Sequence, residues 1–296
     1  MTSTSESSGF AWPNNARLAV AVTCLLENWS GDKGPPFSVQ TTALKAGTHD
    51  RAAMTWGTYG VRAGVWRLIR ILDDNNVPAT FCANAHSLEL APQAAEQMLR
   101  SGHEIAAHSY TQDNILAYLD AEQEQAVIHR CIDIFRKITG APPKGWLSPV
   151  LASTARTEEL LTAAGFLWYG DYNHIDLPFC AKNRNGTIVA FPHTDYADHR
   201  VLRGNPRDWY EVYKDTFDYL YQNEPMAFLN VTVHCHFGGR PLMAAMVDKI
   251  LKYFRGFGDV WMVRHDDLAQ WVHDHALAEW TNQQRFFPDR WPRRVG

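Results

Sequence analysis

Two hydrophobic periods alternate along this chain, and their alternation limits the fold more than any other feature of the sequence. Short, nearly continuous apolar runs at residues 18–24 and 79–82 are typical of strands buried on both faces. Between such runs, apolar residues recur at helical spacing, as Val65, Leu68 and Leu72 do. Strands separated by helices indicate a parallel sheet. The predicted strands cover residues 18–24, 79–82, 104–108, 145–148, 166–169, 187–191, 227–233 and 260–263.

A chain of 296 residues with this many strands favours closure of the sheet. We therefore predict an α/β fold, a distorted (β/α) barrel of seven or eight mostly parallel strands. The pattern runs without a linker or internal repeat, so residues 17–276 are expected to form a single barrel domain. The loop at residues 27–64 is too long for a plain connection and is expected to cover or build a site.

The two ends of the chain are expected to lie outside the barrel. Residues 1–16 are polar at their start and are predicted to be a flexible N-terminal tail. Residues 277–296 are predicted to be an irregular C-terminal tail. Its aromatic side chains suit packing on a neighbouring subunit, because such residues favour interfaces; they are Trp280, Phe286, Phe287 and Trp291.

The composition argues against several classes of protein. A net charge of −4 argues against an electrostatic nucleic-acid binder. No apolar run approaches the roughly 18 residues of a membrane span, and the N-terminus lacks the basic and apolar regions of a signal peptide. The 5 cysteines are scattered and form no CxxC pair, which argues against a disulfide framework. We expect a cytoplasmic protein whose partners are neither nucleic acids nor membranes.

Polar side chains follow several predicted strands, where α/β barrels carry their chemistry. Imidazole acts as an acid, a base or a metal ligand near neutral pH, and arginine suits a bidentate clamp. The alternative is a structural role: a loop carboxylate, satisfied core imidazoles and a plain hydrogen-bonding amide. The residues at these strand ends are Glu27, His108, Gln112, Ser148, His234, His236 and Arg240.

Three motifs resemble a known family in order and spacing. Residues 102–109 read GHEIAAHS, residues 145–149 read GWLSP, and residues 231–234 read VTVH. They are similar to the second, third and histidine motifs of the polysaccharide deacetylase superfamily, carbohydrate esterases with a distorted barrel. The resemblance covers roughly residues 17–272.

Further stretches favour one branch of that superfamily. Residues 59–67 (YGVRAGVWR), 176–178 (DLP) and 239–241 (GRP) are similar to stretches in metal-independent allantoinases and cyclic imide hydrolases. They also resemble a bacterial peptidoglycan deacetylase-like protein. Members of this branch mostly hydrolyse C–N bonds, often in small rings. The resemblance thus implies a small-molecule substrate and a homo-oligomer, a tetramer or a dimer.

The metal ligands of the superfamily are altered in this chain. Glu27 stands near the position of an aspartate pair, and Gln112 replaces the second histidine of the second motif. Two imidazoles and an aspartate hold zinc better than one imidazole, a glutamate and an amide. The resemblance therefore implies no cofactor. The alternative is one divalent ion such as zinc on Glu27, His108 and Gln112, in which Glu27 and His108 are the main ligands and either Gln112 or His234 is a poorer third.

The predicted function is hydrolysis of a non-peptide C–N bond in a small cyclic amide, imide or ureide. Glu27 or His108 would act as the general base, His234 would protonate the leaving nitrogen, and backbone N–H groups at residues 148–150 would stabilise the oxyanion. The alternatives are a metal-dependent N-deacetylase of an N-acetylglucosamine-containing saccharide and an inactive ligand-binding barrel. The predicted substrate-binding residues are Trp56, Tyr59, Arg62, Trp146, Ser148, Pro149, His236 and Arg240.

Overall fold

A computed structural model describes residues 11–31, 33–39, 44–45 and 47–287. The strands in these ranges are β1 (Leu18–Leu26), β2 (Thr80–Ala83), β3 (Glu104–Ala107), β4 (Gly145–Trp146), β5 (Trp168–Tyr172), β6 (Phe179–Asn183), β7 (Gly186–Pro192), β8 (Ala227–His234) and β9 (Val260–Val263). The α-helices are α1 (Arg51–Tyr59), α2 (Val65–Asp74), α3 (Ala85–Leu90), α4 (Pro92–Arg100), α5 (Ala121–Thr139), α6 (Thr157–Ala163), α7 (Pro206–Asn223), α8 (Pro241–Arg255), α9 (His265–Asp274) and α10 (Thr281–Gln284). No helix in the described part of the chain is both long and apolar enough to cross a membrane.

The strands form one curled sheet with helices packed against it, in the order β6-β7-β5-β4-β3-β2-β1-β8. β9 lies off this path and pairs with β1. Every ladder is parallel except the antiparallel pair of β6 and β7. The predicted α/β fold with a distorted, mostly parallel barrel is therefore confirmed.

Strand β1 is the centre of this sheet. It pairs with β8 along one edge over residues 18–25. Its other edge is shared, since residues 18–21 pair with β9 and residues 23–26 pair with β2. All of β1 is buried, which explains why its sequence is apolar at successive positions.

The sequence did not predict β6, α1 or α3. β6 is an edge strand with a mixed sequence, FCAKN, and most of its side chains are partly exposed, so it has no apolar period. α1 lies inside the segment that was predicted as a long loop, where Asp50 caps its first turn by accepting from the Ala53 N–H. α3 has only six residues, too few to show a helical period.

The first predicted tail is not free where the structure describes it. Trp12 is buried, and its Nε1 donates to the Ala227 carbonyl at 2.6 Å, at the start of β8. Residues 11–16 therefore pack on the barrel. Residues 1–10 lie outside the described residues.

The second predicted tail also packs on the barrel as far as residue 287. The Arg285 side chain is fully buried, and its Nη2 lies 2.9 Å from Glu224 Oε2 and 3.2 Å from Asp176 Oδ2. This segment is therefore part of the domain rather than an irregular tail. Residues 288–296, with Trp291, lie outside the described residues, so packing on a neighbouring subunit stays a prediction.

Candidate active site

A cavity of about 500 Å³ lies at the carboxyl ends of the strands. Five predicted site residues line it: Glu27, His108, Gln112, Ser148 and His234. They follow β1, β3 and β4 or end β8, so strand ends from distant parts of the chain meet here.

Glu27 is the centre of the polar cluster. Its Oε1 lies 3.5 Å from His108 Nε2 and 3.8 Å from His234 Nε2, and its Oε2 lies 3.5 Å from His236 Nδ1. The carboxylate is fully buried among these three imidazoles. A buried carboxylate in such surroundings is an electrostatic anchor for protonated imidazole.

Asn84 holds the ends of the first three strands together. Its Oδ1 accepts from the Asn28 N–H at 2.8 Å, and its Nδ2 donates to the His108 carbonyl. The Gln112 N–H donates to the Asn28 carbonyl at 2.8 Å. Glu27 and His108 are therefore positioned by backbone contacts of their immediate neighbours. Asn84 directly follows β2, so the rule that site residues lie just after the strands, here called the strand-end rule, would have found it.

The His108 ring is fixed by the backbone. Its Nδ1 lies 2.6 Å from the Leu147 carbonyl oxygen, which can only accept. Nδ1 therefore carries a proton, and in the neutral ring Nε2 carries the lone pair. That atom is buried, faces Glu27 and has no hydrogen-bond partner within the described residues.

His234 is held by a carboxylate that the sequence did not reveal. Asp198 Oδ1 accepts from His234 Nδ1 at 2.5 Å, and Asp198 Oδ2 accepts from the His234 backbone N–H at 2.9 Å. A glycine at 238 is required here, since a Cβ would lie 2.9 Å from Asp198 Oδ2. Asp198 lies in a loop without any hydrophobic period, so no sequence signal pointed to it.

Opposed effects of burial and charge set the protonation of these groups. Burial raises the pKa of Glu27, but the neighbouring imidazoles of His234, His108 and His236 outweigh burial and lower that pKa to about 2. Burial lowers the pKa of His234, but the charges of Asp198 and Glu27 raise it to about 9. Burial lowers the pKa of His236 to about 4, so that ring is neutral. Near neutral pH Glu27 is thus a carboxylate and His234 an imidazolium.

The turn after β4 shapes the cavity wall. The Ser148 N–H donates to Asp171 Oδ1 at 2.8 Å, so it is not free to stabilise an oxyanion. Pro149 has no N–H, which leaves the N–H of Val150 from the predicted group. Val150 and Leu151 have φ values of 49° and 57°, and a β-branched residue is rarely found in this region. Such strain is often found at functional sites.

Most of the predicted substrate-binding residues lie away from the cavity lining. The structure places outside that lining Trp56, Tyr59, Arg62, Trp146, Pro149, His236 and Arg240. Trp146 is buried in the core and donates from Nε1 to Ser148 Oγ at 3.0 Å. Arg62 is exposed on the π-helical turn between α1 and α2. His236 Nδ1 lies 3.5 Å from Glu27 Oε2, although His236 is not among the residues that line the cavity.

Arg240 links loops instead of facing a substrate. Its Nη2 donates to the Trp56 carbonyl at 3.1 Å, and its Nε donates to the His236 carbonyl at 2.9 Å. The guanidinium lies 4.1 Å from the centre of the Tyr59 ring. These contacts pack the segment before α2 against the loop after β8, and a role in substrate binding for Arg240, Trp56 and Tyr59 stays a prediction.

Two glycines allow the segment before α2 to approach the loop after β8 closely. A Cβ at Gly64 would lie 1.8 Å from the Cys235 carbonyl oxygen, and one at Gly239 would lie 2.4 Å from the Gly64 Cα. Two backbones approach closely only where side chains are absent. The motif residues around them serve packing.

The segment after β7 supplies cavity residues that the sequence analysis missed. These are His193, Thr194, Asp195, Ala197, His199, Arg200 and Leu202, joined by Asn173 after β5. His193 lies just beyond a predicted strand, so the strand-end rule would have found it. The others lie in an irregular loop and gave no signal.

The predicted metal ligands fit a divalent ion only in part. Glu27 Oε2, His108 Nε2 and Gln112 Oε1 are buried without a hydrogen-bond partner among the described residues, as ligand atoms would be. One imidazole, a carboxylate and an amide remain a weak set for zinc. Within the described residues, a set of three whose ligand atoms lie within 4.8 Å of one another is Asp198, His199 and His234. In that set Asp198 already accepts a hydrogen bond from His234, so its carboxylate is occupied.

Comparison with known proteins agrees with this fold. The polysaccharide deacetylase family model matches residues 45–168. A probable polysaccharide deacetylase from Pseudomonas aeruginosa PAO1 is 28% identical, with a TM-score of 0.81, over 90% of this chain and 94% of that one. PuuE allantoinase is likewise 28% identical, with a TM-score of 0.82, over 90% of this chain and 94% of that one.

A similar protein whose relation is seen in sequence is a peptidoglycan deacetylase from Helicobacter pylori. It is 23% identical over 255 residues, which cover 72% of this chain and 85% of that protein. Together with the barrel and the histidine and carboxylate cluster, these matches extend over most of the domain. Residues 45–168 thus match the polysaccharide deacetylase family, the chain shares the fold of these proteins, and it is a hydrolase of carbon–nitrogen bonds other than peptide bonds.

Proposed function

We propose that this enzyme hydrolyses the C–N bond of a small cyclic amide, imide or ureide. The observation that carries the proposal is the cavity of about 500 Å³, where His108 Nε2 and His234 Nε2 lie 3.5 Å and 3.8 Å from Glu27 Oε1. This volume is in the range of small-molecule sites. The 28% identity to PuuE allantoinase over 90% of the chain supports a substrate of this kind.

The arrangement favours His108 over Glu27 as the general base. In the neutral ring, His108 Nε2 carries the lone pair because Nδ1 donates to the Leu147 carbonyl. Taking a proton from water would create an imidazolium 3.5 Å from the Glu27 carboxylate, which stabilises it. Glu27 is the weaker base, because the lowered pKa of its carboxyl disfavours protonation.

His234 is suited to act as the general acid. Its raised pKa keeps the ring protonated near neutral pH, and Nδ1 is already bonded to Asp198. The proton on Nε2 is therefore the one available to the leaving nitrogen. Protonation of that nitrogen allows the tetrahedral intermediate to collapse with C–N cleavage.

A substrate screen with matched variants tests this proposal. We expect turnover of at least one compound among allantoin, hydantoin, succinimide and dihydrouracil. His108→Ala and His234→Ala should each lower kcat by about 100-fold or more, in the range of general acid–base catalysis. His273→Ala, which changes a half-exposed histidine on α9, should have no effect. Absence of turnover on every cyclic compound would contradict the proposal.

A second candidate is removal of acetyl from an N-acetylglucosamine unit with a divalent ion. Two observations favour this deacetylation. Buried oxygen and nitrogen atoms of Glu27, His108 and Gln112 have no hydrogen-bond partner among the described residues, and the chain is similar to the H. pylori peptidoglycan deacetylase. If such an ion were bound, those residues would hold it, and it would polarise the acetyl carbonyl. Elemental analysis of enzyme purified without added metal, together with an acetate-release assay on chitin oligomers, separates the two candidates.

A further inference from the structure

One turn in the wall of the cavity both contacts His234 and contributes side chains to the cavity lining. Asp198, His199 and Arg200 are consecutive on the 3-10 turn Asp198–Val201. Asp198 points to His234, whereas His199 and Arg200 line the cavity. The His199 ring packs edge-on against His234, with 5.6 Å between the ring centres. Arg200 is thus placed by the turn that also positions the proposed acid.

Arg200 is the single Lys or Arg among the described residues that line the cavity. It makes no ion pair with a carboxylate in the described part of the chain. Arg240, by contrast, is occupied by two carbonyl oxygens and the Tyr59 ring. A guanidinium that borders a binding cavity with its donors free is a ready partner for a planar anion.

The neighbouring groups leave this cation uncompensated. Burial, together with the positive charges of His234 and Arg200, lowers the pKa of His199, which is therefore neutral near pH 7. Asp195 also lines the cavity, but it forms no ion pair with Arg200 in the described structure.

Building on the function proposed above, we infer that the substrate carries a carboxylate on its ring or side arm and that Arg200 binds this group. The cavity of about 500 Å³ is larger than a bare five- or six-membered ring fills, so it has room for such a substituent. The reacting carbonyl would lie between His108 and His234, and the carboxylate would extend toward Arg200. Arg200 is thereby a residue that determines specificity, not one that takes part in the chemistry.

Pairs of compounds that differ by one carboxylate-bearing group test the inference. Dihydroorotate is compared with dihydrouracil, and hydantoin-5-acetate with hydantoin, by titration calorimetry and by turnover. We expect the wild type to bind at least one carboxylated member 10-fold or more tightly than its partner. Arg200→Gln should remove this preference while leaving the affinity for the uncharged member within about 2-fold. Arg203→Gln, an exposed arginine outside the cavity lining, is the matched control.

The outcomes separate the two proposals. Equal affinity for both members of each pair, no measurable binding of either carboxylated compound, or an equal loss for both members in Arg200→Gln would overturn the role of Arg200. Selective binding without any turnover would instead leave that role supported and count against the proposed reaction. A shift caused by Arg203→Gln as large as that of Arg200→Gln would also overturn the inference, because it would show a general charge effect.

Discussion

Replacing Asp198 by Asn should move the alkaline limit of activity to lower pH. The pKa of His234 is about 9, compared with an ordinary value of 6.5, and the charge of Asp198 is the largest influence that raises it. At pH 8 an acid with the raised pKa is about 90% protonated, whereas one with the ordinary value is about 3% protonated. Because the reaction needs protonated His234, kcat/KM at pH 8 should fall by about 10- to 30-fold. Near pH 6 the loss should be smaller.

The assay is the pH dependence of kcat/KM between pH 5 and pH 10 on the best substrate from the screen. The asparagine Oδ1 can still accept from His234 Nδ1, so the ring should keep its orientation while the carboxylate charge is lost. Titration of His234 by NMR in both proteins measures the pKa directly. Asp195→Asn, which removes a charge from the same wall, should leave the alkaline limit in place. An alkaline limit that does not move in Asp198→Asn would refute the reasoning.

Two further predictions concern the frame of the site. Gly64→Ala should lower the free energy of unfolding by about 3 kcal/mol or more, because its Cβ would lie 1.8 Å from the Cys235 carbonyl oxygen; in denaturant titration Gly258→Ala, with nothing within 4 Å, should be near neutral. Asp171→Ala should lower kcat more than it raises KM, because the Ser148 N–H loses its acceptor and the turn that fixes the proposed base loosens. Asp171→Asn should restore most of kcat, and failure of that rescue would argue against a positioning role.

The strands at the centre of the sheet could be predicted because their burial on both faces leaves a strong apolar signal. β1 and β8 are of this kind. β6 escaped prediction because an edge strand with half-exposed side chains has no such signal. The ends of the domain were misplaced because Trp12 and Arg285 are buried by long-range contacts that no local period reveals.

The candidate site was predictable only where a side chain directly ends a strand. That rule located Glu27, His108 and His234 in one cavity. It did not place Arg240 in the cavity lining, because the spacing of a motif does not tell a residue that packs two loops from one that lines a cavity. It also missed Asp198, which reaches His234 from an irregular loop.

The pairing of both edges of β1 with strands from the far end of the chain has a consequence for how the enzyme is made. Residues 18–25 pair with residues 227–234, and residues 18–21 also pair with residues 260–263. Contacts so distant in sequence form late, because a long loop must close first. During synthesis the first strand must therefore wait for the last two before its edges are filled. Until then its apolar edges are open to wrong partners, and Glu27 has no His234 beside it, so activity should appear only after the barrel is complete.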